Sequence, residues 1–130
     1  YKNFGFIGLG DWTVITALNT TEPKIIPLCG QSDLIPNSGI CAAVGDQQIA
    51  IFFLPDETPQ VYAIDNWDPV GKANVLARGI VGDVDGRLVV ASPLYKQHFD
   101  LITGECLEDD QVSVATYSVT LLANQVQLSL

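Results

Sequence analysis

Val61-Tyr62-Ala63-Ile64-Asp65-Asn66-Trp67-Asp68-Pro69-Val70-Gly71-Lys72-Ala73 and Val89-Val90-Ala91-Ser92-Pro93-Leu94-Tyr95-Lys96-Gln97-His98-Phe99-Asp100-Leu101-Ile102-Thr103-Gly104 share one plan. Each opens with an apolar burst of strand length and runs into a loop whose Pro69, Gly71, Pro93 and Gly104 fix the backbone. Similar bursts flank them at Ile25 to Cys29, Ile40 to Val44, Ile49 to Leu54, Val112 to Leu122 and Gln125 to Leu128. Val112 to Leu122 alternates, with Val112, Val114, Thr116, Ser118 and Thr120 on one face and Ser113, Ala115, Tyr117, Val119 and Leu121 on the other, which predicts a strand. Turn signals separate the bursts: Pro36-Asn37-Ser38-Gly39, Gly45-Asp46, Pro55-Asp56, Asp83-Val84-Asp85-Gly86, Thr103-Gly104 and Ala123-Asn124.

Strands recurring about every ten residues favour an all-β sandwich or barrel over alternating β-α units. One or two short helical turns complete it. The first is expected at Ser32 to Ile35, capped by Ser32, and the second at Ala73 to Arg78, ended by Gly79. No internal repeat or low-complexity tract stands out within residues 24–130, which form one domain. Residues 1–23 read as an N-terminal arm or vector-derived extension.

The 130 residues are 48% apolar and 16% charged, enough to build a core without disulfides or metal. Fifteen acidic residues against six basic ones give a net charge of −9, which disfavours nucleic acid and anionic membranes as partners. Ile49 to Leu54, among the longest apolar runs, is far short of the ~20 residues of a membrane span. With no signal peptide at Tyr1-Lys2-Asn3, the expected location is cytoplasmic. Cys29, Cys41 and Cys106 are odd in number and widely spaced, as suits reduced thiols. A start at tyrosine and the lack of methionine suggest a processed, truncated or fusion-bearing chain. Gly5-Phe6-Ile7-Gly8-Leu9-Gly10 resembles a dinucleotide fingerprint but has Thr13 where the third glycine belongs.

The two opening stretches resemble the cluster-binding loops of Rieske domains. In that pattern a Y-A-[IL]-D-N strand leads into Cys-x-His, and a second loop reads C-P-x-H-G-x-x-F-D-x-x-T-G. Here Asp68 and Val70 stand at the Cys and His positions of the first loop, and Ser92 and Tyr95 at those of the second. A Rieske centre needs two thiolates and two imidazoles, and the chain holds one histidine. No metal site is therefore expected on this chain. An emptied pocket costs about 24 cal/mol per Å³, so Val70 and Tyr95 are expected to fill the vacated space. The same single histidine excludes a two-histidine, one-carboxylate iron site. A zinc site would need all three cysteines and His98 to converge from distant segments. No G-x-S-x-G elbow occurs, and a Cys106–His98 dyad is the remaining nucleophilic arrangement.

The runs Asp33-Leu34-Ile35-Pro36, Asp65-Asn66-Trp67-Asp68-Pro69, Leu76-Ala77-Arg78-Gly79 and Ser92-Pro93-Leu94-Tyr95-Lys96-Gln97-His98-Phe99, followed by Gly104-Glu105-Cys106-Leu107-Glu108-Asp109, narrow the resemblance. They are similar to the small subunit of bacterial assimilatory NAD(P)H nitrite reductase, over about residues 24 to 130. The resemblance implies a Rieske-like sandwich without a cluster and with no catalytic residues of its own. It implies a partner too, a large subunit carrying FAD, an iron–sulfur cluster and sirohaem that reduces nitrite to ammonium. The alternative is a ferredoxin-like Rieske electron carrier with unusual ligands.

For a partner module, exposed aromatic and cationic side chains are the expected anchors. Trp67, Lys72, Arg78, Tyr95, Lys96 and His98, beside the two loops, form the candidate contact set. The competing reading makes Trp67 core, Lys72 and Lys96 solvated charges, and His98 a hydrogen-bonded loop residue. Glu105, Glu108, Asp109 and Asp110 are expected to form a solvated acidic turn, and Cys106 a buried, inert thiol.

Overall fold

A computed structural model describes residues 24–129. Its strands are β1 (Ile25–Gly30), β2 (Ser38–Val44), β3 (Gln47–Phe53), β4 (Val61–Asp65), β5 (Trp67–Asp68), β6 (Ala73–Asn74), β7 (Ile80–Val84), β8 (Arg87–Ala91), β9 (His98–Asp100), β10 (Thr116–Leu122) and β11 (Gln125–Ser129). Six form an antiparallel sheet in the order β1-β11-β10-β4-β3-β2, three form a second sheet β7-β8-β9, and β5-β6 is a short ribbon between them in sequence. The all-β expectation holds.

The pleat of β3 and β4 explains why their sequences are apolar without a break. Successive side chains point to opposite faces. Ala50, Phe52, Tyr62 and Ile64 pack with Val90, Phe99 and Leu101 in one cluster, whereas Ile49, Ile51, Val61 and Ala63 pack with Val126 and Leu128 in another. Both faces are covered, so strict apolar–polar alternation is lost there. Hairpins close where the sequence tolerates positive φ. Ala123 and Asn124 take φ of 52° and 64° between β10 and β11, and Asp85 and Gly86 take 52° and 84° between β7 and β8, as two-residue turns matched to strand twist require.

Three expectations need correction. Val112 to Leu122 is not one strand: Val112 and Val114 join the Phe99 cluster, and Tyr117, Val119 and Leu121 join the Val126 cluster. The backbone of residues 112–114 bonds to residues 104–106 instead, through Cys106 N–H to Val112 O (3.1 Å) and Val114 N–H to Gly104 O (2.8 Å). The first helical turn is a 3-10 turn at Gln31–Asp33 with Gly30, not Ser32, before it. There the Asp33 carboxyl accepts the Gly30 N–H at 3.0 Å. The second turn covers only Leu76–Arg78 before Gly79, because Ala73–Asn74 pairs with Trp67–Asp68. The proposed arm and the glycine run at Gly5 to Gly10 lie outside the described residues.

Candidate functional site

One five-residue turn occurs three times around the loops. In Asp68-Pro69-Val70-Gly71-Lys72, the Lys72 N–H donates to Asp68 O at 2.7 Å, and the Val70 and Gly71 N–H groups donate to Asp68 Oδ1 at 2.8 and 3.0 Å. In Ser92-Pro93-Leu94-Tyr95-Lys96, Lys96 N–H donates to Ser92 O at 3.1 Å and Leu94 N–H to Ser92 Oγ at 3.2 Å. In Asp100-Leu101-Ile102-Thr103-Gly104, Gly104 N–H donates to Asp100 O at 2.8 Å, with Ile102 and Thr103 N–H on Asp100 Oδ1 at 2.7 and 2.9 Å. Each fifth residue is left-handed, with φ of 58° at Lys72, 66° at Lys96 and 81° at Gly104. A short side-chain acceptor at position one caps amides of the turn, which is why Asp or Ser stands there.

The turns at Asp68 and Ser92 are tied together. The Ser92 hydroxyl donates to Asp68 Oδ2 at 2.5 Å, and both residues are fully buried. Gly71 lies against Leu94: a Cβ at Gly71 would come within 2.4 Å of Leu94 Cδ1. Asn66 anchors the base of the first loop by accepting the Ala77 N–H at 2.7 Å, while its own carbonyl accepts the Leu76 N–H at 3.1 Å.

The donor chemistry of the four ligand positions does not fit a [2Fe–2S] cluster. Asp68 and Ser92 present hard oxygens already hydrogen-bonded to one another, Val70 has no donor, and Tyr95 is 65% exposed. The chain's single histidine, His98, is held by Glu108, which contacts its Nδ1 at 2.5 Å and accepts its backbone N–H at 2.7 Å. Among the described residues no three His, Cys, Asp or Glu side chains group to hold a metal ion. The exposure of Tyr95 corrects its expected role as a filler. Val70 is half-buried, and the Asp68–Ser92 hydrogen bond joins the two side chains that stand at the cysteine positions of the Rieske pattern.

Other predicted residues sort as follows. Trp67 is 42% exposed and so is not core, and Lys72, Arg78 and Lys96 are exposed with no acidic partner within 4 Å among the described residues. Cys106 and His98 meet at Glu108 rather than at each other, since the Cys106 thiol is 3.7 Å from Glu108 Oε1. Burial pushes that thiol above its ordinary range and outweighs the nearby backbone amides, the opposite of an activated nucleophile. The acidic turn is only partly solvent-directed: Glu105 pairs with Arg87 at 2.7 Å and Glu108 holds His98. Sequence reading missed the turn repeat, although Asp-Pro-x-x-Lys and Ser-Pro-x-x-Lys display it.

Asp100 also accepts Arg87 Nε at 2.8 Å. Burial alone would raise its pKa, but the Thr103 amide, the Arg87 guanidinium and the Ile102 amide together hold it below the ordinary carboxylate range. For Glu108, burial is likewise outweighed by the bonds from His98. A lowered pKa in the folded state means stability present above the ordinary carboxyl range and lost as pH falls through the folded-state values. The urea midpoint should therefore hold steady from about pH 7 to about pH 5 and fall below about pH 4, with a shallower fall in Asp100→Asn.

The sequence model of the family described as "Rieske-like [2Fe-2S] domain" matches residues 24–129. The nitrite reductase (NADH) small subunit of Escherichia coli (strain K12) is 46% identical over 101 residues, 78% of this chain and 93% of that protein. The chain belongs to the nitrite reductase small-subunit family. The NMR structure of the E. coli protein NirD superposes with a TM-score of 0.74 at 42% identity, covering 82% of this chain and 96% of that one. The nitrite reductase [NAD(P)H] large subunit of Klebsiella oxytoca is 44% identical over 88 residues, 67% of this chain and 9% of that protein.

Proposed function

We propose that this chain is a non-catalytic, cytoplasmic accessory subunit of assimilatory NAD(P)H nitrite reductase. It docks on a large subunit that carries FAD, an iron–sulfur cluster and sirohaem and reduces nitrite to ammonium. The observation that carries this reading is the pairing of close small-subunit kinship with a loop pair whose donors do not suit a cluster. The stretch of the Klebsiella oxytoca large subunit similar to this chain supports the choice of partner, because a domain of this kind then shares a polypeptide with the larger enzyme. A role as a Rieske electron carrier has less support, since it would require imidazole ligands that Val70 and the exposed Tyr95 do not supply. Stand-alone thiol catalysis is likewise poorly supported by thiols whose pKa values are raised, to about 11 at Cys29 through burial and then Asp33.

What remains for such a domain is mechanical. A braced pair of loops presents a fixed surface, and rigid presentation lowers the ordering cost of association. The test is nitrite-dependent NAD(P)H oxidation by the cognate large subunit, alone and with this chain added. The expected result is a higher rate or a longer-lived activity with the chain present. An unchanged rate and lifetime would refute the reading.

A further inference from the structure

An edge strand leaves a row of N–H and C=O groups unpaired, and natural sheets blunt such rows with proline, bulges, charged side chains or covering segments. Among the described residues, three of the four edges of the two larger sheets are blunted in this way. β1 carries Pro27 and a register break between Pro27 and Cys29. β7 carries the exposed Asp83. β9 is three residues long, and its outer side is taken by residues 105–107, through Asp100 N–H to Glu105 O (2.8 Å) and Leu107 N–H to His98 O (2.9 Å). β2, Ser38-Gly39-Ile40-Cys41-Ala42-Ala43-Val44, has none of these devices. It runs in unbroken register along β3, from Ser38 opposite Phe53 to Val44 opposite Gln47, and residues 37–45 include no proline and no charge.

The phase of the hydrogen bonds fixes which groups of β2 face outward. Gln48 O accepts the Asn66 N–H at 3.0 Å, and just past β3 the Leu54 N–H donates to Gln60 O at 2.7 Å, so the even-numbered residues turn toward β4. Backbone groups alternate sides along a strand, so the odd-numbered residues of β3 turn toward β2. Gly39, Cys41 and Ala43 lie opposite Phe52, Ala50 and Gln48, and their N–H and C=O groups therefore point away from β3. No backbone group of the described residues bonds to them on that side.

We infer that the free edge of β2 pairs antiparallel with β2 of a second copy of this chain, about a two-fold axis at Cys41. The outward set is symmetric about that residue. Cys41 meets Cys41 of the second copy and Gly39 meets its Ala43, so every outward N–H faces an outward C=O. Ile40 then lies beside Ala42 of the second copy, on the face that both residues share with the Val126 cluster. Asp46, the first acid after the strand, falls opposite Pro36, so no acid opposes another along the pair although each copy carries a charge of −9. A foreign strand is selected by pockets or charges, whereas the exposed side chains of this edge are only those of Cys41 and Ala43. One strand pair is a small contact, and the expected dissociation constant is about 10–500 µM.

The test is sedimentation equilibrium of the full 130-residue chain in thiol reductant, with residue-resolved amide exchange at about 20 µM and about 1 mM. The mass should rise from one chain toward two. The Gly39, Cys41 and Ala43 amides should slow in step with the dimer fraction, while those of Ile40 and Ala42 are protected at both concentrations. Because the copies carry the same net charge, association should tighten as salt rises from about 50 to 300 mM. Ala43→Pro removes an outward N–H that has no bond within the chain, so it should melt within about 5 °C of the parent and raise the dissociation constant about tenfold or more. Cys41→Lys, which sets two ammonium groups face to face at the axis, should weaken association to a similar extent. A single-chain mass at both concentrations would overturn the assignment. So would slow exchange of the three outward amides at the lower concentration, or a dimer that leaves them unprotected.

Discussion

Asp68→Ala is expected to lower the unfolding free energy by about 3–4 kcal/mol. The carboxyl group accepts from Ser92 Oγ, Val70 N–H and Gly71 N–H while fully buried. Alanine would strand a buried hydroxyl and two amides and leave a small void between the loops. Stranded buried groups cost more than the bonds themselves contribute, because their desolvation is no longer offset. Asp68→Asn separates geometry from charge. Its amide oxygen can still accept the two backbone N–H groups and its NH₂ can donate to Ser92, so a loss of only about 1 kcal/mol is expected. Denaturant unfolding of the parent and both variants reads the difference. Equal stability of Asp68→Ala and the parent would show that the bond does not brace the loops.

Gly104→Ala is expected to be still more damaging, with little folded protein recovered. Two independent obstacles meet there. The φ of 81° disfavours a Cβ, and the Cβ itself would lie 2.1 Å from Val114 O and 3.2 Å from Thr116 Cγ2. The Val114 contact is with backbone, and the same carbonyl-bearing segment donates Val114 N–H to Gly104 O at 2.8 Å, so relief would break the junction between residues 104–106 and 112–114. Overpacking of this kind costs roughly 1–3 kcal/mol before the strain of the left-handed backbone is added. Gly82→Ala, with nothing within 4 Å of the added Cβ and no positive φ, should be nearly neutral. Soluble yield and thermal melting compare the two, and a normally stable Gly104→Ala would contradict the packing described.

These cases show where sequence carries the architecture and where it stops. The strands were legible because two-residue turns at Asp85-Gly86 and Ala123-Asn124 bound apolar runs of strand length, a purely local signal. The D-x-x-T-G run was equally legible, since the Asp100 carboxyl and the left-handed Gly104 sit four residues apart. β7 (Ile80–Val84) escaped because Ile80 is exposed and Val81 and Val84 are only half-buried, so no apolar face marks it. The bond between Asp68 and Ser92 spans 24 residues and depends on how two loops meet, which no local pattern encodes. Overlay on the Rieske pattern located both residues without indicating that they bind one another. Tyr95 was misassigned for the same reason: its size suits a filler, and only the turn geometry shows it facing solvent.

The central claim is that this family member supports its partner through a protein-built brace and not through a cluster. Iron and sulfide content, measured on anaerobically purified chain that has been shown to raise the rate of the cognate large subunit, tests it most directly. The account predicts a colourless preparation with iron and sulfide far below one cluster per chain and with full stimulating ability. Stimulation that rises and falls with bound iron, and a visible spectrum to match, would contradict it.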